Sequence, residues 1–90
     1  EAVTRLTLEP LLFRQLSLLA TARERIQSVS DFALPRAEEA LALTERGYRI
    51  GRFPYRELAV AQAQVIDLQA ERLDAARQYH LTRIEIERLT

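Results

Sequence analysis

The residue types that most often do chemistry are sparse in this sequence and poorly spaced for it. His80 is the single histidine and cysteine is absent, so a metal centre built from imidazole and thiolate has almost no ligands to draw on. Glu87 repeats the heptad position of His80 one repeat later, which on a helix separates the two by roughly 10 Å along the axis. Ser17, Ser28 and Ser30 have no paired base, because the one histidine lies far down the chain. Glu38 and Glu39 are adjacent and point in different directions on a helix. No glycine-rich phosphate loop occurs. These residues describe solvated or packed positions, and the sequence reads as a protein that is not an enzyme and holds no cofactor or metal.

The elements that carry these side chains are two long helical patterns meeting at residues 48–61, YRIGRFPYRELAVA. Only there are helix-ending and helix-starting residues packed together. Gly51 can take the positive φ that ends a helix, and Pro54 has the fixed φ of a first helical position. Arg46 and Arg49 suit the C-terminal end of the first helix dipole, and Glu57 suits the first turn of the second helix. A connection this short joins antiparallel neighbours. The expected fold is all-α: a long antiparallel two-helix hairpin, coiled-coil-like. Its first helix covers about residues 8–50, its tip turn 51–53 and its second helix 54–90.

Along the first helix, Leu12, Leu16, Leu19, Ala22, Ile26, Val29 and Ala33 follow three- and four-residue steps. The opening residues are ambiguous: Leu6 and Leu8 alternate with threonines as in a strand end, while Thr7 could cap a helix that admits Pro10 in its first turn. Pro35 interrupts the run, and a proline inside a helix costs roughly 3 kcal/mol. The pattern resumes at once as Leu34, Ala37, Leu41, Thr44 and Tyr48 on a rotated stripe. That favours a kink over a break, although Ser28, Ser30 and Asp31 could cap a new helix. The rotation predicts different neighbours above and below Pro35.

The second helix carries two apolar seams. Leu58, Ala61, Val65, Leu68, Ala75, Tyr79, Ile86 and Leu89 form one, broken by Arg72 and Thr82. Ala59, Ala63, Ile66, Ala70, Leu73 and Ile84 form another about 100° away. A plain hairpin needs only one, so two alanine-rich seams predict neighbours on both sides, as in the wall of a closed ring of helices. Asp67, Glu71, Asp74, Gln78, Glu85 and Arg88 make the outer surface polar.

Thirteen basic and thirteen acidic residues balance to zero, which argues against a nucleic-acid or membrane-surface binder. No apolar run approaches the roughly 18 residues of a membrane-spanning helix. The helical pattern is already under way at Glu1 and still running at Thr90, and the chain is read as an excerpt of a longer protein.

Leu34-Pro35-x-Ala37-x-x-Ala40-Leu41, then Tyr48-x-x-Gly51-x-Phe53 with Leu58 and Ala61-Gln62, then Tyr79 and Glu87-Arg88-Leu89-Thr90, resemble the closing part of a repeat in the TolC-like outer-membrane efflux proteins. The order of these elements is most similar to the CzcC-like branch, which serves heavy-metal resistance. The likeness covers residues 34–90. It implies a homotrimeric channel in the cell outer membrane, continued through the periplasm by an α-helical barrel of which this segment would be one descending helix, a tip and one returning helix.

The resemblance further implies partners: a periplasmic adaptor protein and an inner-membrane pump, with heavy-metal cations as cargo. It places Tyr48, Gly51, Arg52, Phe53, Pro54 and Glu57 at the adaptor-docking channel mouth. The sequence departs from the TolC pattern there. Phe53 stands where that pattern has an arginine and Val60 where it has an acid, so docking or an apolar constriction fits better than a salt-bridged gate. Independently of the likeness, Phe53 and Tyr55 beside Arg52 and Arg56 have the composition of an interface anchor. The other reading is a local staple, with Phe53 plugging the hairpin end and Tyr55 folded back onto its own helix, and Tyr48 equally fits the packed stripe of the first helix. The alternative is a coiled-coil interaction module without a channel, such as the hairpin of a periplasmic adaptor. Either way, two uncovered seams predict that the isolated segment self-associates.

Overall fold

The computed structural model describes residues 2–90, with side chains described from Pro10 onward. Helix α1 spans Ala2–Ser28, a π-helical turn covers Val29–Ala33, α2 spans Leu34–Arg49, and α3 spans Tyr55–Leu89. There is no strand among the described residues. The chain reverses once, between Arg49 and Tyr55, and α3 runs back along both α1 and α2. The result is a rod with extents of 71 × 16 × 14 Å. Its radius of gyration is 20.1 Å, where a compact chain of this length would have about 12 Å.

One narrow seam holds the hairpin together. On α3 the buried or half-buried positions Leu58, Ala61, Val65, Leu68, Ala75, Tyr79, Thr82, Ile86 and Leu89 follow three- and four-residue steps, with Ala59 and Ala76 half-buried beside them. Only Arg72, exposed, breaks the series. This is the first seam expected from the sequence. Val29, Leu34 and Val65 form its best-buried cluster, with Ala37, Leu41 and Leu68 against it. Burying a branched aliphatic side chain of this kind stabilises by about 2 kcal/mol. Further from the tip the contact is made by small residues, Ala22 at 3% and Ala75 at 0% exposure. There Arg25 reaches across from α1, donating to Gln78 Oε1 at 3.1 Å and lying 4.0 Å from both Glu71 and Asp74. Such part-exposed pairs contribute at most about 1 kcal/mol, but they tie the two rods at one level.

The π turn corrects the expected meaning of the rotated stripe. Before it, Leu12, Gln15, Leu19, Ala22, Ile26 and Val29 face α3; after it, Leu34, Ala37, Leu41 and Thr44 do. The first set continued in heptad steps would reach Ala33 and then positions 36 and 40. The second set is displaced by one residue. A π turn accommodates one extra residue within an otherwise continuous helix, so both stripes meet the same partner, α3, and not different neighbours. Leu34 N–H accordingly donates to the carbonyl of Val29, five residues back. Pro35, exposed in the first turn of α2, neither donates nor ends the rod. The first helix is thus continuous through Pro35. It also runs back through Pro10 to Ala2, so residues 4–8 are helical and do not form a strand end.

At its other end α3 begins one residue later than expected. Pro54 lies outside the helix at ψ 160° and Tyr55 is the first helical residue. No helix is long and apolar enough to cross a membrane among the described residues.

The surplus residue makes a specific prediction. Deleting Asp31 together with Pro35→Ala should let the two stripes join in unbroken heptads. The expected outcome is retained helicity by circular dichroism and a thermal midpoint that rises by several degrees, as about 1 kcal/mol produces in a small domain. A lower midpoint would mean that the π turn itself, and not the heptad step it restores, seats α2 on α3.

Candidate functional site at the hairpin tip

The tip is built by a helix-ending motif that its two glycines make feasible. Ile50 closes α2 with φ −93° and ψ 9°, and Gly51 follows at φ +78°. Gly51 N–H donates to the Tyr48 carbonyl at 3.0 Å, and Arg52 N–H to the Gly47 carbonyl at 2.7 Å. These are the paired bonds of a Schellman turn with glycine at its left-handed position. Phe53 N–H also reaches the Gly47 carbonyl, at 3.3 Å. The chain then extends through Pro54, whose carbonyl accepts from Glu57 N–H at 3.1 Å.

The second glycine has a steric role. The Phe53 ring lies where a Cβ on Gly47 would be, so the aromatic closes the end of the hairpin by filling a hole that only glycine leaves. Gly47 is buried and Phe53 is 38% exposed. Across the tip, Tyr48 and Tyr55 meet edge to face, with centroids 5.8 Å apart and rings inclined at 67°, a geometry worth about 1 kcal/mol beyond area burial. Tyr48 remains 41% exposed and Tyr55 61%.

The structure therefore brings Tyr48, Gly51, Arg52, Phe53 and Pro54 into one cap and sorts them by role. Gly51 and Pro54 shape the backbone, Phe53 plugs the hairpin end, and Tyr48 with Tyr55 forms an exposed aromatic pair. Arg52 projects with no carboxylate within 4 Å among the described residues. Glu57 lies to one side, on an open groove of about 290 Å³ shared with Ala40, Thr44, Arg56, Val60, Ala61 and Gln64. Two tip residues escaped the sequence reading. Ile50 is 70% exposed at the apex; its only signal was its place one residue before a helix-ending glycine. Gly47 carried a clearer one, a glycine inside the last helical turn with an aromatic six residues on.

His80 is exposed on α3, edge-on to Tyr79 at 5.7 Å and remote from the tip. Among the described residues no three histidine, aspartate or glutamate side chains converge as metal ligands would. No family model, curated protein or solved structure matches the chain.

The Gly47–Phe53 contact can be tested by stability. Gly to Ala in a helix interior normally stabilises by about 1 kcal/mol. Here Gly47→Ala should instead lower the unfolding free energy in urea by about 1–2 kcal/mol, because the ring must leave its seat. The same substitution in a Phe53→Ala background should recover the ordinary gain. A stabilising Gly47→Ala in the unmodified chain would show that the ring is not held there.

Proposed function

We propose that the chain is one stave of a periplasmic duct: part of the outer-membrane channel of a tripartite efflux pump, whose tip docks the adaptor protein and whose cargo is heavy-metal cations. The family resemblance of residues 34–90 supplies the pump and its cargo. The structural support is the state of the hairpin's flanks.

The observation that carries the reading is the second seam of α3. Ile66 and Leu73 are 61% and 66% exposed, and Ala63 and Ala70, the positions preceding each in the series, are exposed as well, although they follow an apolar heptad series. The first rod matches this, with Phe13 at 73% and Phe32 at 61% exposure. Shallow grooves of about 290 and 260 Å³ lie along the shaft, one lined by Leu16, Leu19 and Tyr79 with Arg23 and Glu24 at its side, the other by Leu18, Ala22 and Leu81 with Thr21 and Gln78. Total accessible surface is 7153 Å², against about 5,400 Å² for a compact 10.4 kDa chain. The difference is comparable to a standard protein interface of about 1,600 Å². A stave flanked by sister staves uses that surface; a free two-stranded coil has no use for it. The cross-section of 16 × 14 Å is one helix pair thick, as a wall with water on both faces requires.

The test is cross-linking in the full-length protein. Val29 and Leu34 pack at the level of Val65, so Phe32 and Ile66 lie at similar heights on the shaft. A copy carrying Phe32→Cys coexpressed with one carrying Ile66→Cys should give a covalent dimer on oxidation. A chain with both substitutions should give a ladder that stops at three copies. Failure of both, or a ladder running past three, would rule out a closed trimeric ring. By itself the 90-residue chain should sediment as dimers or larger species, and a well-ordered monomer would remove the case for laterally shared seams.

A further inference from the structure

The tip is where the charge of this neutral chain separates. Residues 45–57 hold Arg46, Arg49, Arg52 and Arg56 against Glu45 and Glu57, while the rest of the chain holds nine arginines against eleven acids. The positive end is also largely unneutralised. Glu45 pairs with Arg49 at 3.8 Å, and no carboxylate lies within 4 Å of Arg46, Arg52 or Arg56 among the described residues. The C-terminal dipole of α2 offsets part of this charge at Arg46 and Arg49, but Arg52 and Arg56 stand beyond its reach. Amid these arginines is an apolar knob: Ile50, 70% exposed, beside the Tyr48–Tyr55 pair.

We infer that Ile50 is the anchor of the docking tip, and that the partner receives it in an apolar crevice rimmed by aspartate and glutamate. The partner chemistry rests on the docking role proposed above. Interface anchors combine a desolvated apolar or aromatic centre with arginines at its edge, which is the composition found here. Every cation in the chain is arginine and none is lysine. The planar guanidinium matches a carboxylate in two parallel hydrogen bonds, and a rim of opposite sign steers encounter and rejects wrong partners. Phe53, committed to the Gly47 hole, contributes rigidity: it fixes the loop that presents Ile50, so little ordering is left for binding. A nucleic acid fits less well, since its phosphates continue past a 16 × 14 Å tip onto shafts with an excess of acids. An anionic membrane fits less well too, because Ile50 and Tyr55 together bury too little apolar area to hold a surface.

The probe is the adaptor of the same pump, tested against the full-length chain in its own cell envelope. Ile50→Cys should cross-link to cysteines placed in the adaptor's hairpin tip. Arg52→Glu with Arg56→Glu should weaken that association about 10-fold or more, and replacing the adaptor's tip acids with lysine should restore it. If the cross-link forms but the tip acids prove absent, or their removal changes nothing, the acidic rim is wrong and docking stands. If no cross-link forms from position 50 or from position 53, docking itself fails. Binding of purified protein to phosphatidylglycerol vesicles that is lost with the same arginine substitutions, without an adaptor cross-link, would assign the tip to lipid and overturn the proposal.

Discussion

Everything in this molecule depends on the register of a single seam. Among the described residues seven apolar side chains are buried, Ala22, Val29, Leu34, Leu58, Ala61, Val65 and Ala75, and no polar side chain is buried with them. Hydrophobic contact is non-directional, so such a seam would tolerate sliding if nothing else fixed it. Two features do. The Schellman turn sets the zero of the register at the tip, and Arg25 reaching toward Glu71, Asp74 and Gln78 marks a second level far up the shaft. Between these points, three- and four-residue spacing carries the alignment from one to the other.

The tip and the shaft divide the labour. The shaft is narrow, neutral to slightly acidic and apolar along its flanks, properties suited to repetition side by side. The tip is basic, aromatic and internally braced. The backbone N–H groups of Ile50, Gly51, Arg52 and Phe53 all close on carbonyls of Arg46, Gly47 and Tyr48, so the shape of the turn is inherited from the end of α2 and does not depend on the partner. That makes the apex a preformed feature: whatever meets it meets Ile50 and the tyrosines in fixed positions.

Much of this was legible in residue order. The hairpin, the reversal at Gly51, the α3 seam with its interruption at Arg72 and the surplus apolar series at Ile66 and Leu73 all follow from periodicity and helix-end chemistry. Three things did not. Heptad counting detected that the stripe rotates near Pro35, but spacing alone does not say whether a partner changes or the helix absorbs a residue; the π turn is a backbone choice without a residue signature. Residue order offered Phe53 both as an interface anchor and as a plug of the hairpin end, and the choice between them depended on a hole left by Gly47, a contact set by three-dimensional fit. Ile50 was invisible because a single aliphatic side chain at a turn looks the same whether it folds in or points out. Its 70% exposure is decided by the C-cap dihedrals.

The π turn has a consequence for how such a chain tolerates change in length. A single inserted residue in an uninterrupted α-helix rotates everything beyond it by about 100°, which here would swing the entire tip off its axis. Confined to five residues, the disturbance is quarantined, and the apex keeps its aim. Length variation in the shaft is thereby uncoupled from recognition at its end, and the two can drift separately over evolutionary time.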